Sequence, residues 1–363
     1  MTDSPYSPVY ELTRGGTVES IHYGAAAVVD AAGNLLASYG NPEAVTFLRS
    51  TAKPFQALPF FENDGPQVFG LNTAEQAIIC ASHSGTDAHL ATVLSIQEKA
   101  GISEADLLCG MHEPMDRLTA ERMREQKESL RPNRHNCSGK HSGMLAYIQL
   151  KARQTQVPPS ELEYVDPAHP IQQEILQTFS EMCAVPVEQI GLGIDGCSAP
   201  NFAIPLRNAA LAYARLCDPV GGKVGSERRV KACQKITKAM TSNPEMVGGP
   251  GRFDTQLMSV AGGKIVSKGG AEAFQGIGLM PGVLGKDAPA VGIALKIADG
   301  DSRDKACAAF ALEVLRQLGA LSEAELAALA EFGPESALKN WRGLVVGHAY
   351  PTFRLVQTVT TPA

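Results

Sequence analysis

Ser50 and Lys53 lie three residues apart in the segment 49–56 (RSTAKPFQ), and these two residue types together can carry out acyl transfer. A serine hydroxyl attacks an amide only after a base takes its proton, and a lysine amine can be that base when it is uncharged. If Ser50 begins a helix, Lys53 lies one turn further on the same face. Pro54 is compatible with this helix because it would lie in the first turn. The same spacing also occurs as a helix cap with a solvated lysine, so the context decides.

Four other stretches carry complementary polar residues: SHSG from Ser82, NCSGKHSG from Asn136, DGCSAP from Asp195 and KGG from Lys268. Each stretch adjoins an apolar segment, and loops at the ends of such segments are where catalytic and binding groups usually lie. Any single stretch could be a turn with a capping side chain. Together, their serines, lysines, cysteines and aspartate complement one another chemically, which favours one enzyme site.

The composition is that of an ordinary globular chain, with 363 residues, 44% of them hydrophobic and 19% charged, and a net charge of -6. This charge, without any basic run, argues against a nucleic-acid partner. The N-terminal residues show no cationic or apolar signal region, and no run of about eighteen apolar residues predicts a membrane span. We therefore expect a cytoplasmic protein without a membrane partner, whose eight cysteines are mainly thiols.

The apolar patterns predict an α/β fold. Residues 21–37 are typical of a β-hairpin that turns at residues 30–34, and residues 264–268 and 290–298 are typical of strands. Residues 241–253 form a loop rich in glycine and proline. Pro158-Pro159 marks a linker that could separate two lobes. Apolar spacing and end signals predict helices, among them those at residues 53–61, 73–82, 87–100 and 171–183.

Between residues 10 and 299 the sequence resembles the Rhizobium-type, or class 3, L-asparaginases. The segments that carry the resemblance are RSTAKPFQ from Arg49, NCSGKHSGML from Asn136, DGCSAPNFAIPL from Asp195, GRFDTQLM from Gly251, and the pair SKGGAE and ALKIADG. The resemblance implies a fold similar to serine β-lactamases and glutaminases, with a mixed sheet flanked by helices and a second helical lobe. It also implies a single asparaginase unit and a homodimer. We expect this unit to have two intimately packed lobes, and the Pro158-Pro159 pair places their boundary near residue 158.

The resemblance implies that the side-chain amide of L-asparagine is hydrolysed to L-aspartate and ammonia through two Ser-Lys pairs. Ser50 and Lys53 match the first pair, and Ser82 and Lys268 match the second. We assign Ser50 as the nucleophile and Lys53 as its base, with Ser82 and Lys268 relaying a proton to the leaving nitrogen. The order in which the two serines act stays open.

Cys137 and Cys197 are the cysteines that lie in polar loops flanked by glycine, and two thiolates suit zinc. From chemistry alone, His141 is the best third ligand, because a lysine must first lose its proton. The resemblance instead implies Lys140 as the third ligand, with one zinc ion per chain and no organic cofactor. Two ordinary thiols are the alternative.

The implied substrate is a zwitterion, so its α-amine needs an anion and its α-carboxylate a cation. Asp195 suits the amine, and Arg49 suits the carboxylate unless it forms a structural ion pair. His141 could orient the ligand or cap the helix that it begins.

Two other functions remain open. One is a cytoplasmic β-lactamase-like or peptidase-like serine acyl-transfer enzyme, because Lys268-Gly269-Gly270 is similar to the Lys-Thr-Gly of those enzymes. The other is a zinc-dependent sensor or scaffold with an inactive site.

Overall fold

The computed structural model describes residues 4–157, 160, 162–302 and 305–358. The strands in this part of the chain are β1 (Ser7–Arg14), β2 (Thr17–Asp30), β3 (Leu35–Tyr39), β4 (Val45–Phe47), β5 (Gly191–Ile194), β6 (Pro200–Pro205), β7 (Ile265–Gly270), β8 (Phe274–Leu279), β9 (Val291–Ile297), β10 (Ser336–Lys339), β11 (Val345–Pro351) and β12 (Val356–Gln357). The helices are α1 (Lys53–Glu62), α2 (Gly65–Val68), α3 (Thr73–Ile79), α4 (Asp87–Ala100), α5 (Arg117–Glu125), α6 (Ser138–Thr155), α7 (Pro170–Cys183), α8 (Leu206–Cys217), α9 (Glu227–Ser242), α10 (Pro244–Val247), α11 (Phe253–Ala261), α12 (Ala306–Gln317) and α13 (Glu323–Ala328).

The described residues divide into two compact units. The strand unit comprises residues up to 48, residues 204–223 and residues from 260 onward, and the helix unit comprises residues 49–203 and 224–259. Pro158 and Pro159, where the sequence suggested a boundary, lie outside the described residues. Residues on both sides of this pair belong to the helix unit. No helix in the described ranges is both long enough and apolar enough to cross a membrane.

The strand unit is built on a nine-stranded sheet with the order β10-β11-β1-β2-β9-β8-β7, to which β3 is added through β2 and β12 through β3. Each of these pairings is antiparallel. The predicted mixed sheet is therefore wrong for this sheet. Short connections explain the difference, because β1–β2 and β7–β8 are hairpins, whereas parallel neighbours need a longer crossover.

Helix α8 lies against strands β2, β8 and β9 at positions where the sheet has glycine in place of a side chain. A Cβ at Gly292 would lie 1.8 Å from the carbonyl oxygen of Ala210, and one at Gly276 would lie 2.3 Å from the Tyr213 ring. These glycines thus allow the alanine-rich helix to approach the sheet closely. They also explain why strand β8, whose sequence is FQGIGL, has no strand signal of its own.

Substitution Gly292→Ala should destabilise the strand unit, because its methyl group would overlap the α8 backbone. We expect the free energy of unfolding to fall by about 3 kcal/mol, at the upper end of overpacking effects. Chemical denaturation measures it. Gly16→Ala is the control, since its backbone is not left-handed and its Cβ would meet no described atom within 4 Å. Equal stability losses in the two variants would contradict this account of the packing.

The helix unit brings α6 against α3 through two further glycines. A Cβ at Gly139 would lie 2.2 Å from the carbonyl oxygen of Ile78, and one at Gly143 would lie 2.6 Å from the Ile79 side chain. The two glycines are four residues apart and so lie on one face of α6. Their contact places the beginning of α6 beside the end of α3, where the chain continues into Ser82.

Several local predictions are confirmed. The hairpin within residues 21–37, the helix at 87–100 and the helix at 171–183 are all present. The predicted helix at 73–82 ends earlier, at Ile79, and its cap is Asn72, which forms a capping box with Glu75. The predicted loop at 241–253 is partly wrong, because it contains the last two residues of α9, all of α10 and the first residue of α11.

Candidate active site

Lys53 begins α1 and is only 1% exposed. Its Nζ donates hydrogen bonds to Ala81 O at 2.5 Å, Ser82 Oγ at 2.9 Å and Cys137 Sγ at 3.2 Å. A lysine ammonium has three N–H groups, so these bonds satisfy all of them. Lys53 is thus fixed between the residues after α3 and those before α6.

Ser50 is half-buried in a 3₁₀ turn, Arg49–Ala52, directly before α1. Residues three apart in such a turn project from the same side of the chain. The hydrogen bonds of Lys53 nevertheless go to other groups, and the serine that it binds is Ser82. The structure therefore brings Lys53 and Ser82 together, whereas the pairing of Ser50 with Lys53 stays a prediction.

His83, the residue after Ser82, links this loop to α6. It is fully buried, and its Nε2 lies 2.9 Å from Ser138 Oγ, which itself donates to Asn133 O. Its Nδ1 accepts from the backbone N–H of Gly85 at 3.2 Å. Burial lowers the pKa of His83 well below its ordinary value, so the ring is neutral and donates from Nε2. The sequence identified this loop as polar but gave no role to His83.

Cys137, Lys140 and Cys197 form a buried cluster, 4%, 3% and 2% exposed respectively. Lys140 Nζ donates to Cys197 Sγ at 2.9 Å, and Lys53 Nζ donates to Cys137 Sγ at 3.2 Å. The neighbouring Cys197 thiol lowers the pKa of Cys137 well below its ordinary value, and the charges of Lys53 and Lys140 lower it further. The neighbouring Cys137 raises the pKa of Cys197. Negative charge in the cluster is therefore more favourable on Cys137 than on Cys197, and each sulfur accepts a hydrogen bond from one lysine.

His141 is fully buried next to this cluster. Its Nδ1 lies 2.7 Å from Tyr164 Oη, which accepts from the backbone N–H of Leu108 at 2.8 Å. Burial lowers the pKa of His141 to about 4 and raises that of Tyr164. The Tyr164 hydroxyl therefore stays protonated and donates a hydrogen bond to Nδ1 of the neutral His141 ring. The Nε2 atom of His141 has no hydrogen-bond partner among the described residues, and nearby Cys197 opposes the effect of burial by raising the His141 pKa. Tyr164 carried no signal in the sequence.

Arg49 and Asp195 form an ion pair, with Nε 2.7 Å from Oδ1. The same Asp195 oxygen accepts from the backbone N–H of Gly196 at 2.8 Å. Burial raises the pKa of Asp195, but the charges of Lys140 and Arg49 outweigh this effect and lower it overall. The two residues predicted to bind opposite ends of an amino acid are therefore next to each other.

Lys268 lies in the strand unit, on β7, and is 1% exposed. Its Nζ donates to the carbonyl oxygen of Gly269 at 2.6 Å. The pairing of Ser82 with Lys268 stays a prediction.

Histidine, cysteine, aspartate and glutamate are the side chains that most often bind metal ions in proteins. Among the described residues, no group of three or more His, Cys, Asp or Glu side chains is arranged to hold a metal ion. A zinc site at Cys137 and Cys197 would therefore depend on the amine of Lys140.

The chain forms an antiparallel sheet covered by helices, and its helix unit holds a buried cluster of lysine, serine and thiol groups. These features are compatible with an α/β enzyme. A family model described as L-asparaginase II matches residues 10–351. Because the match covers nearly all of the 363 residues, the chain belongs to the L-asparaginase II family and is an L-asparaginase. The match also includes β10 and β11, beyond the span of the resemblance seen in the sequence. A comparison with curated proteins gives no match.

Substitution Tyr164→Phe should destabilise the helix unit. It would leave the N–H of Leu108 and the Nδ1 of His141 without a partner in a buried region, which costs about 1–3 kcal/mol of unfolding free energy. Denaturant titration measures the loss. Tyr23→Phe is the matched control, because Tyr23 is 44% exposed. If both variants keep wild-type stability, Tyr164 does not support His141 as described.

Proposed function

We propose that this L-asparaginase is of the Rhizobium type (class 3) and hydrolyses the side-chain amide of L-asparagine through a serine nucleophile activated by lysine. The observation that supports this proposal is Lys53, a buried amine that binds Ser82 and lies one turn after the partly exposed Ser50. The proposal includes a fold like that of serine β-lactamases, a homodimer and a cytoplasmic location, all of which stay predictions.

In the proposed reaction, Ser50 Oγ attacks the carboxamide carbon while Lys53, in its uncharged form, takes the hydroxyl proton. Ser50 is the better nucleophile candidate because it is half-buried, whereas Ser82 is buried and already bonded to Lys53. The backbone N–H of Ser50, at the start of a helical turn, would stabilise the oxyanion. Ser82 and Lys268 would relay a proton to the leaving nitrogen, so that the C–N bond breaks and ammonia departs. Water then hydrolyses the ester on Ser50 to give L-aspartate.

The Arg49–Asp195 pair supplies both charges that an amino acid requires. Asp195 Oδ1 is occupied by Arg49 and Gly196, and Oδ2 accepts only a weak bond of 3.8 Å from Cys197 Sγ, which the α-amine of the substrate would replace. Arg49 uses Nε in the ion pair, so its terminal nitrogens can face the α-carboxylate. His141, held by Tyr164, would position the ligand from the Cys197 side.

The chemistry of the buried cluster fits a zinc ion. Two thiols and an adjacent amine are zinc ligands once deprotonated, and three protein ligands leave one position open. Cys137, Lys140 and Cys197 would hold the ion, with one zinc per chain. When bound, zinc would act as a Lewis acid beside the substrate site.

Substitution Ser50→Ala should abolish ammonia release from L-asparagine, with a fall in kcat of about a thousand-fold or more, because the nucleophile is lost. Lys53→Arg should cause a comparable loss, since a guanidinium keeps its proton and cannot act as a base. Ser129→Ala, at an exposed serine, is the control. An asparagine analogue with a diazoketone in place of the carboxamide, followed by peptide mass mapping, identifies which serine attacks.

Near-wild-type turnover in Ser50→Ala would reject Ser50 as the nucleophile, and labelling of Ser82 would move that role to Ser82. The same ammonia assay with glutamine, together with a chromogenic β-lactam, separates the alternatives. Hydrolysis of the β-lactam without ammonia release from asparagine would favour the β-lactamase-like enzyme, and no activity at all would favour a scaffold.

Protein purified without chelator should contain about one zinc ion per chain, measured by inductively coupled plasma mass spectrometry. Cys137→Ser and Cys197→Ser should each lower this to under about a tenth, because a hydroxyl is a poor zinc ligand. Cys307→Ser, at a partly exposed cysteine of the strand unit, should keep the wild-type content. Zinc absent from the wild-type chain would remove the metal site from the proposal.

A further inference from the structure

The residue before the proposed nucleophile has an unfavourable backbone conformation. Arg49 has φ +51°, in the left-handed region that residues other than glycine and asparagine rarely adopt. Such a conformation is sterically unfavourable and persists only where neighbouring groups enforce it. It sets the direction in which the chain enters the 3₁₀ turn, and therefore the direction of the Ser50 hydroxyl.

Asn201 holds this backbone from a distant part of the sequence. It lies on β6, is 5% exposed, and its Oδ1 accepts from the N–H of Arg49 at 3.0 Å and from the N–H of Phe202 at 2.9 Å. An amide oxygen has two lone pairs, and these two bonds use both. The position of Asn201 is itself fixed by antiparallel pairing with Gly193 on β5.

The segment 195–201 contacts the turn and α1 at two other points. The Arg49 side chain binds Asp195 at 2.7 Å, and Gln56 Nε2 donates to Pro200 O at 3.1 Å. The segment is closed on itself by a bond of 2.9 Å from Asp195 N to Ala199 O. This closed loop contacts the turn through the Arg49 backbone and the Arg49 side chain, and it contacts α1 through Gln56. The three contacts together support the turn rigidly.

We propose that Asn201 is a positioning residue for the Ser50 nucleophile, acting through the backbone of Arg49. This inference rests on the proposed function, in which Ser50 attacks the amide. Loss of the Asn201 oxygen lets Arg49 leave the left-handed region, and this turns the Ser50 hydroxyl and N–H away from the amide carbon and its oxygen. A misplacement of about 1 Å at a reacting group costs about a hundred-fold in rate.

Asn201→Ala tests this inference through kinetics on L-asparagine. We expect kcat to fall at least about thirty-fold while KM changes less than about three-fold, because attack rather than binding is impaired. Asn201→Asp should recover most of the lost kcat, since its carboxylate oxygen accepts the same two N–H bonds. If the alanine variant does not fold, Asn201→Ser replaces it with the same expected loss, because its hydroxyl is too short to reach Arg49.

The matched control is Asn63→Ala, which removes another amide-to-backbone bond in the helix unit, from Asn63 Nδ2 to Pro59 O at 2.8 Å. It should lower stability and leave kcat unchanged. A kcat for Asn201→Ala within about two-fold of wild type, or no recovery in Asn201→Asp, would overturn the positioning role. Failure of the proposed function is recognised separately, because Ser50→Ala would then stay active whatever the Asn201 variants do.

Discussion

The burial of two lysine side chains is the constraint on which the rest of the helix unit depends. Lys53 and Lys140 are almost inaccessible to water, and a buried charge is tolerated only when it is paired and hydrogen-bonded. The partners are the sulfurs of Cys137 and Cys197, with Ser82 and one backbone carbonyl. Removing one partner of a buried pair typically costs about 3–5 kcal/mol, so the cluster has to be assembled as a whole.

That assembly requires backbones to come closer than side chains normally allow. The cluster lies where α6 begins and α3 ends, and the contact between these helices exists because Gly139 and Gly143 present no side chain to Ile78 and Ile79. The glycines of the NCSGKHSG stretch are therefore as necessary as its cysteine, lysine and histidine. Glycine serves in the same way in the strand unit, where Gly292 lets α8 lie on the sheet.

The sequence revealed the parts of the fold and the site that depend on neighbouring residues. Helix 87–100 has a cap, an apolar face and a terminal glycine within fourteen residues, and the polar loops show their composition directly. Contacts between distant residues leave no such pattern. Tyr164 is 23 residues from His141 in the sequence and Asn201 is 152 residues from Arg49, yet each pair is joined by a hydrogen bond. The direction of the strands leaves no local pattern either, because it depends on which strands become neighbours. Strand β8 lacks a strand pattern because two of its residues are glycines that allow α8 to approach the sheet.

Lys53 connects the serine chemistry to the thiol cluster. One ammonium donates both to Ser82, which belongs to the proposed proton relay, and to Cys137, which belongs to the proposed zinc site. Any change at Cys137 therefore alters the hydrogen bonding of Lys53, and any change at Lys53 removes a hydrogen-bond donor from both Ser82 and Cys137. Residues that share a partner in this way have non-additive effects on stability and rate. The loss caused by one substitution in this cluster therefore measures the rearrangement of the whole network, and only double-mutant cycles can assign an energy to the Lys53–Ser82 or the Lys53–Cys137 contact.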